Sequence, residues 1–340
     1  MGYMRVPALL SLGLLCGISL LPVAATAQTS PASPPALEAG KSADDNLKAL
    51  YDAEWTWRQE AFGRGGPGRG MMGAKLPSVT PETYARRLAY WDKVLASLDQ
   101  IKVEDLSHDE RINYDVFRAS VDAQATNIRY RTYEAPFNSD TFFWTLNARQ
   151  GFRTAEEYRN YISRLRDVPR YFAEQTVNMK AGLKRGYTVP YVSTIGRDKT
   201  MEPYIRADES NPLYEAFRDM PETIPAVEQA QLKSEALSVI RETAVPAYSR
   251  LLTFFRTEYQ PKARRDFAAW SLPDGKAFYQ SRIREYVTLD LTPEEIHQTG
   301  LKEVARIRAD MDKTMKDAGF TGTFPEFLVF MRTDPQFYAK

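Results

Sequence analysis

Cysteine is nearly missing from this chain and histidine is scarce: Cys16 stands alone, and His108 and His297 are the two histidines in 340 residues. One cysteine excludes a disulfide framework, so stability has to come from packing. Neither histidine is followed by glutamate, so the zinc-protease pattern His-Glu-x-x-His is absent. Also absent are the Gly-x-Ser-x-Gly nucleophile elbow and the Gly-Lys-Ser/Thr end of a phosphate loop. Charge of one sign is lacking too. With 45 Lys+Arg against 44 Asp+Glu, no global field favours nucleic acid, which is not expected as a partner.

Long apolar runs are missing after the first thirty residues. The N-terminus, "MGYMRVPALLSLGLLCGISLLPVAATAQTS", has the features of a secretory signal peptide. Arg5 is the positive start, Ala8 to Leu21 the short apolar stretch, and Ala25-Thr26-Ala27 the small-x-small cleavage pattern, leaving Gln28 first. The stretch is too short for a helix that stays in the membrane, so no span is expected after cleavage. A lipoprotein signal wants a small residue just before its cysteine. Here Leu15 precedes Cys16 and the apolar run continues, so cleavage is expected rather than a lipid anchor. Removing residues 1–27 removes Arg5 and Cys16, which leaves 44 basic residues against 44 acidic and no cysteine nucleophile. A cysteine-free exported chain suits the periplasm, with secretion beyond the cell as the alternative.

What is present is the composition of a globular protein: 43% hydrophobic and 26% charged residues, with 19 Tyr and 17 Phe to supply ring surface. Residues 28–45 read as a Pro/Ala/Ser linker expected to be disordered, and 46–340 as one helical domain. In 80–101, Thr80 is the N-cap and Pro81 the first helical residue. Tyr84, Leu88, Trp91, Leu95 and Leu98 then repeat at 4-3-4-3 spacing. Ser107/Glu110, Thr154/Glu157, Thr292/Glu295 and Thr323/Glu326 are four capping boxes. Pro169 and Pro246 fall inside helical patterns and predict kinks or abutting helices. A long helix is expected from about Pro293 to Ala318, with Leu301, Val304, Met311 and Met315 inward and Gly319 as its stop. The best strand candidate, "YTVPYVSTIG" (187–196), is limited by Pro190 to an edge or an extended loop. The fold class is all-α, an antiparallel multi-helix array with very little strand. One stretch breaks the pattern: 63–77, with six glycines between Gly63 and Gly73, reads as a loop.

Candidate chemistry is thin. Glu294 and His297 share a helix face at i, i+3, but a catalytic zinc needs three protein ligands. They read instead as a helix first turn, as do Glu156 and Glu157, where carboxylates suit the helix dipole. His108 lies in another first turn. Arg64 and Arg69 in the glycine-rich loop are too few for an RNA-binding segment. The aromatic groups Trp55/Trp57, Phe142/Phe143/Trp144 and Tyr187/Tyr191 suit a core, with a peptide or sugar cleft as the second reading. No catalytic and no metal residue is assigned in this chain.

Several phrases together resemble one bacterial family: "LYDAEWTWR" (50–58), "YARRLAYWDKVLASLD" (84–99), "ERINYDVFR" (110–118) and "GFRTAEEYRNYISRLRDVPRYF" (151–172). Further ones are "MKAGLKRGYTVP" (179–190), "VIRETAVPAYSRLLTFFRTEYQPKAR" (239–264), "LPDGKAFYQSRIREYVTLDLTPEEIH" (272–297) and "DPQFYAK" (334–340). In order, they make the chain similar to the N-terminal half of the exported proteins grouped as domain-of-unknown-function family 885 (DUF885). The resemblance implies a helical fold placed among the zincin metallopeptidases. It also implies peptide hydrolysis, with a His-Glu-x-x-His-type zinc motif in a C-terminal half. No position here matches that motif, so zinc is implied for the full-length family and no cofactor for this chain. Two readings follow. Either the chain is the N-terminal part of a larger enzyme with a peptide substrate, and inactive alone, or it is a non-catalytic helical module that binds a peptide or an envelope partner.

Overall fold

Hydroxyl side chains stand at the N-caps of the first four long helices and of two helices near the C-terminus. The computed structural model describes residues 33–62, 73–137, 142–148 and 152–338, so Ala25, Ala27, Gln28 and the rest of 1–27 lie outside it, as does 63–72 of the glycine-rich loop. Ser42 accepts from Asp45 N and opens α1 (Ala43–Ala61), inside the stretch read as linker. Thr80 accepts from Thr83 N and opens α2 (Pro81–Leu98), with Pro81 where no N–H is needed.

Ser107 opens α3 (His108–Arg129) through its hydroxyl alone. The carboxylate half of that expected box does not form. Ser107 N donates to Asp44 of α1 (2.9 Å) instead. Glu110 turns inward, buried, with Lys48 at 3.6 Å. The three other boxes form, at Thr154 for α4 (Ala155–Arg185), at Thr292 for the helix Pro293–Asp317 and at Thr323 for the helix Phe324–Thr333.

Pro169 does not divide α4, which runs unbroken through it and ends at Gly186 in the left-handed region (φ 77°). Two short helices follow, α5 (Tyr191–Thr194) and α6 (Arg197–Met201), so the strand candidate is irregular loop over 187–190 and helix and turn over 191–196. Next, α7 (Ala226–Val239), α8 (Val245–Phe254) and α9 (Gln260–Lys262) continue one another through two π turns, Ile240–Ala244 and Phe255–Tyr259. Each π turn stops one residue short of a proline, Pro246 or Pro261. A proline ring collides with the carbonyl four residues back, and a wider turn gives it room, so at Pro246 two helices abut through a π turn. The chain closes with α10 (Gly275–Val287), α11 (Pro293–Asp317) and α12 (Phe324–Thr333). No strand occurs among the described residues, and the fold is an all-α helical array.

Burial divides into two apolar centres. In one, α1, α2 and α3 enclose Leu47, Leu50, Trp91, Val94, Leu98 and Val121. In the other, α4 packs along α7, the first π turn and α8 around Phe137, Trp144, Tyr161, Phe172, Tyr248 and Phe255. The long α11 differs. Leu301, Val304 and Met311, expected inward, are 52%, 68% and 43% exposed, and of the expected stripe Met315 alone is buried. The spacing of those residues does make an apolar face, but no described helix lies over it.

A candidate ligand cleft between two apolar centres

A cleft of about 450 Å³ opens between the two centres, within the size range of small-ligand sites. Its walls come from α2 (Tyr84, Arg87, Trp91), α3 (Gln124, Asn127, Ile128), the stretch after α3 (Thr132, Tyr133), Phe142 and Phe143, and α4 (Tyr171, Gln175). Ring surface dominates. Tyr84 and Tyr133 stack with centroids 3.9 Å apart, and Phe143 meets Tyr171 edge-on at 6.4 Å. Burial raises the Tyr84 and Tyr171 hydroxyls above the ordinary tyrosine range, so both stay protonated donors at neutral pH.

Arg87 is the charge in this wall. It sits on the buried face of α2 with Thr83, Tyr90, Trp91, Val94 and Leu98, and is 4% exposed. Its Nη2 donates to Ala61 O (2.9 Å) and Ser78 O (3.3 Å), and its guanidinium lies 4.1 Å over the Phe62 ring. Its Nε has no hydrogen-bond partner among the described residues. Burial draws its pKa down; Tyr84 opposes that shift, and the neighbouring Arg86 adds to it.

Carboxylates close to the cleft are committed elsewhere. Glu54 of α1, 2% exposed, accepts from Trp91 Nε1 and from Arg58 Nε and Nη2, each at 2.9 Å. Asp167 and Glu174 of α4 accept from Leu76 N (3.0 Å) and Val79 N (2.8 Å), and Arg170 bridges the two acids. This pins the 76–79 segment, and with it Pro77 and Val79 of the wall, to α4. Asn178, buried beneath, donates to Val79 O (2.6 Å).

For Asp167, burial alone would raise the carboxyl, but the Arg170 guanidinium and Leu76 N–H outweigh it and hold it below the usual aspartate range. A depressed carboxylate stabilises fully above its unfolded value of about 3.9 and loses that effect as pH falls through the folded value. Amide exchange at Leu76, corrected for intrinsic rate, is therefore expected to speed up on acidification below about pH 4. Asp167→Asn should show the faster exchange already at neutral pH. Unchanged exchange in both cases would remove Asp167 as the pin.

The residues singled out from sequence mostly lie away from the cleft. His297 and Glu294 are exposed in the first turn of α11, Glu294 accepts from Gln298 Nε2 (2.7 Å), and Glu295 caps Thr292. His108 is exposed at the start of α3, and Glu157 accepts from Arg153 N and Thr154 N. Among the described residues no three of His, Cys, Asp and Glu are grouped to hold a metal. Of the aromatic groups, Phe142 and Phe143 line the cleft. Trp57 stacks on Tyr90 at 3.8 Å, Trp144 and Tyr187 are core, Tyr191 carries Arg265 over its ring, and Trp55 is exposed. Arg87 was missed because arginine on a helix reads as solvent-facing. The available signal was its place on the same face as Trp91 and Val94.

Fold and cleft together define a helical protein with a ring-lined candidate site whose wall carries the buried Arg87. The family model described as "Bacterial protein of unknown function (DUF885)" matches residues 61–340, and the chain belongs to that family. A solved structure described as "the putative lipoprotein from Colwellia psychrerythraea" has the same fold, with a TM-score of 0.68 at 20% identity. The match covers 88% of this chain and 55% of that one, so this chain spans little more than half the length of that protein. No curated protein matches this sequence. No described helix is long and apolar enough to cross a membrane.

Proposed function

We propose that this chain is the peptide-holding helical part of a larger exported protein, and that the cleft beside Tyr84 and Arg87 is where the peptide rests. The observation that carries this is the cleft itself: rings for side chains, with the side-chain amides of Gln124 and Asn127 in the wall for a backbone. Support for a larger protein comes from the bare α11 face, which has the spacing of a packed helix and no helix on it. Support for export comes from the signal-like 1–27 and from the description of the Colwellia protein as a lipoprotein. For the whole protein, the activity the resemblance implies is zinc-dependent peptide hydrolysis by a zincin-like domain, of which this chain would be the N-terminal half. No residue of this chain is assigned a step in it. The competing reading is a non-catalytic module that uses the same cleft to bind a peptide or an envelope partner.

Calorimetric titration of the full chain with short aromatic-containing peptides is expected to show one saturable site. Phe142→Ala removes a wall ring that is 46% exposed, so it should weaken binding roughly fivefold to tenfold without altering the melting profile. No heat of binding for any such peptide up to about 1 mM would sink the reading.

A further inference from the structure

Resting on that reading, we infer that the cleft takes the end of a peptide: Arg87 binds the terminal carboxylate of a peptide whose last side chain is aromatic or large and apolar. A guanidinium at 4% exposure has lost most of its water. Burial of a charge is costly unless an opposite charge or full hydrogen bonding replaces the water. Two carbonyls occupy Nη2 and one ring covers a face, while Nε, shut off from solvent, has no partner among the described residues. No described carboxylate forms an ion pair with Arg87, because the acids nearby hold Arg58, Arg170 and Arg185. An arginine held in place with donors left over is suited to a carboxylate, to which it can give a charge-assisted hydrogen bond.

The rest of the cleft narrows the ligand further. Tyr84, Tyr133, Phe142, Phe143 and Tyr171 surround the site with rings, which favour a ring or a branched apolar side chain beside the carboxylate. A space of about 450 Å³ holds one or two residues, favouring the end of a chain over its middle. A peptide amino terminus is disfavoured, since its ammonium would face a guanidinium.

The test compares N-acetyl-Ala-Phe as the free acid and as the amide, titrated into the full chain by calorimetry. The acid is expected to bind at least about tenfold tighter than the amide. Arg87→Gln should bring the acid-to-amide affinity ratio down to about one, whatever it does to the affinity of both. Arg87→Lys should retain part of the preference through charge alone. Circular dichroism and a melting curve establish whether each variant folds; should Arg87→Gln not fold, the acid–amide ratio on the unaltered chain and its decline with salt decide the matter. Equal binding of acid and amide overturns the inference and leaves the peptide reading in place. A preference that survives in Arg87→Gln overturns it as well. Binding of neither compound, nor of longer peptides, overturns both.

Discussion

Arg58→Ala is expected to destabilise the folded chain by about 3–5 kcal/mol, the usual cost of stripping one partner from a buried ion pair. Arg58 is the only cation that meets Glu54 among the described residues, through both Nε and Nη2. Without it, a carboxylate at 2% exposure would keep a single donor, Trp91 Nε1. The damage would reach beyond α1, because Trp91 also lines the cleft and packs against Leu98 and Val94 in the α1–α3 centre. Urea unfolding is the measurement. The double variant Arg58→Ala/Glu54→Gln supplies the control. Glutamine is neutral and can still accept from Trp91, so the double variant should recover a large part of the loss. A cost below about 1 kcal/mol for Arg58→Ala would mean that the pair behaves as an exposed one.

Gly182→Ala is the second large effect. In α4, a Cβ at this position would stand 2.6 Å from Glu134 O and 2.6 Å from Tyr187 O. Both neighbours are backbone and cannot swing aside like a side-chain end. The turn carrying Thr132 to Glu134 crosses α4 there, and Arg185 ties it down through Glu134 (2.8 Å). Forcing the two apart is expected to cost about 1–3 kcal/mol or more and to move Tyr133 out of its stack on Tyr84. Gly186 provides the contrast. It has φ 77°, but a Cβ there would meet nothing within 4 Å, so Gly186→Asn should cost much less, asparagine being tolerant of that backbone region. Urea midpoints of the two variants, measured side by side, check the pair. Equal midpoints would show that the close approach at Gly182 is easily relieved.

Much of the fold can be read from the chain before any coordinates. Thr80-Pro81 and the boxes at Thr154, Thr292 and Thr323 act within one turn of backbone, so local sequence is enough to place them. Ser107 shows the limit of that reasoning: Asp44, distant in sequence, takes the N–H that Glu110 would have accepted from. The α11 stripe shows another. Spacing reveals that Leu301, Val304 and Met311 share a side, but not whether anything covers it. The cleft is harder still. Its wall joins α2, α3, α4 and the rings of Tyr133, Phe142 and Phe143, and no single stretch carries a pattern that announces it. Arg87 is hidden by its own chemistry, since only the folded structure shows which arginine has lost its water.

The paired π turns of the α7–α9 rod have a consequence for register. Each wide turn advances the chain by roughly one residue more than an α-helical turn, which rotates everything after it by about 100°. Phase is thereby reset at Ile240–Ala244 and again at Phe255–Tyr259. An unbroken 3.6-residue count across 226–262 would assign the wrong side chains to the interior beyond each reset. Loss of one residue from the first turn would keep the composition and the helix, yet turn Tyr248, Leu251 and Phe255 away from Phe172 and Phe137. The rod's inward face is therefore set by the length of two turns as much as by the residues that occupy it.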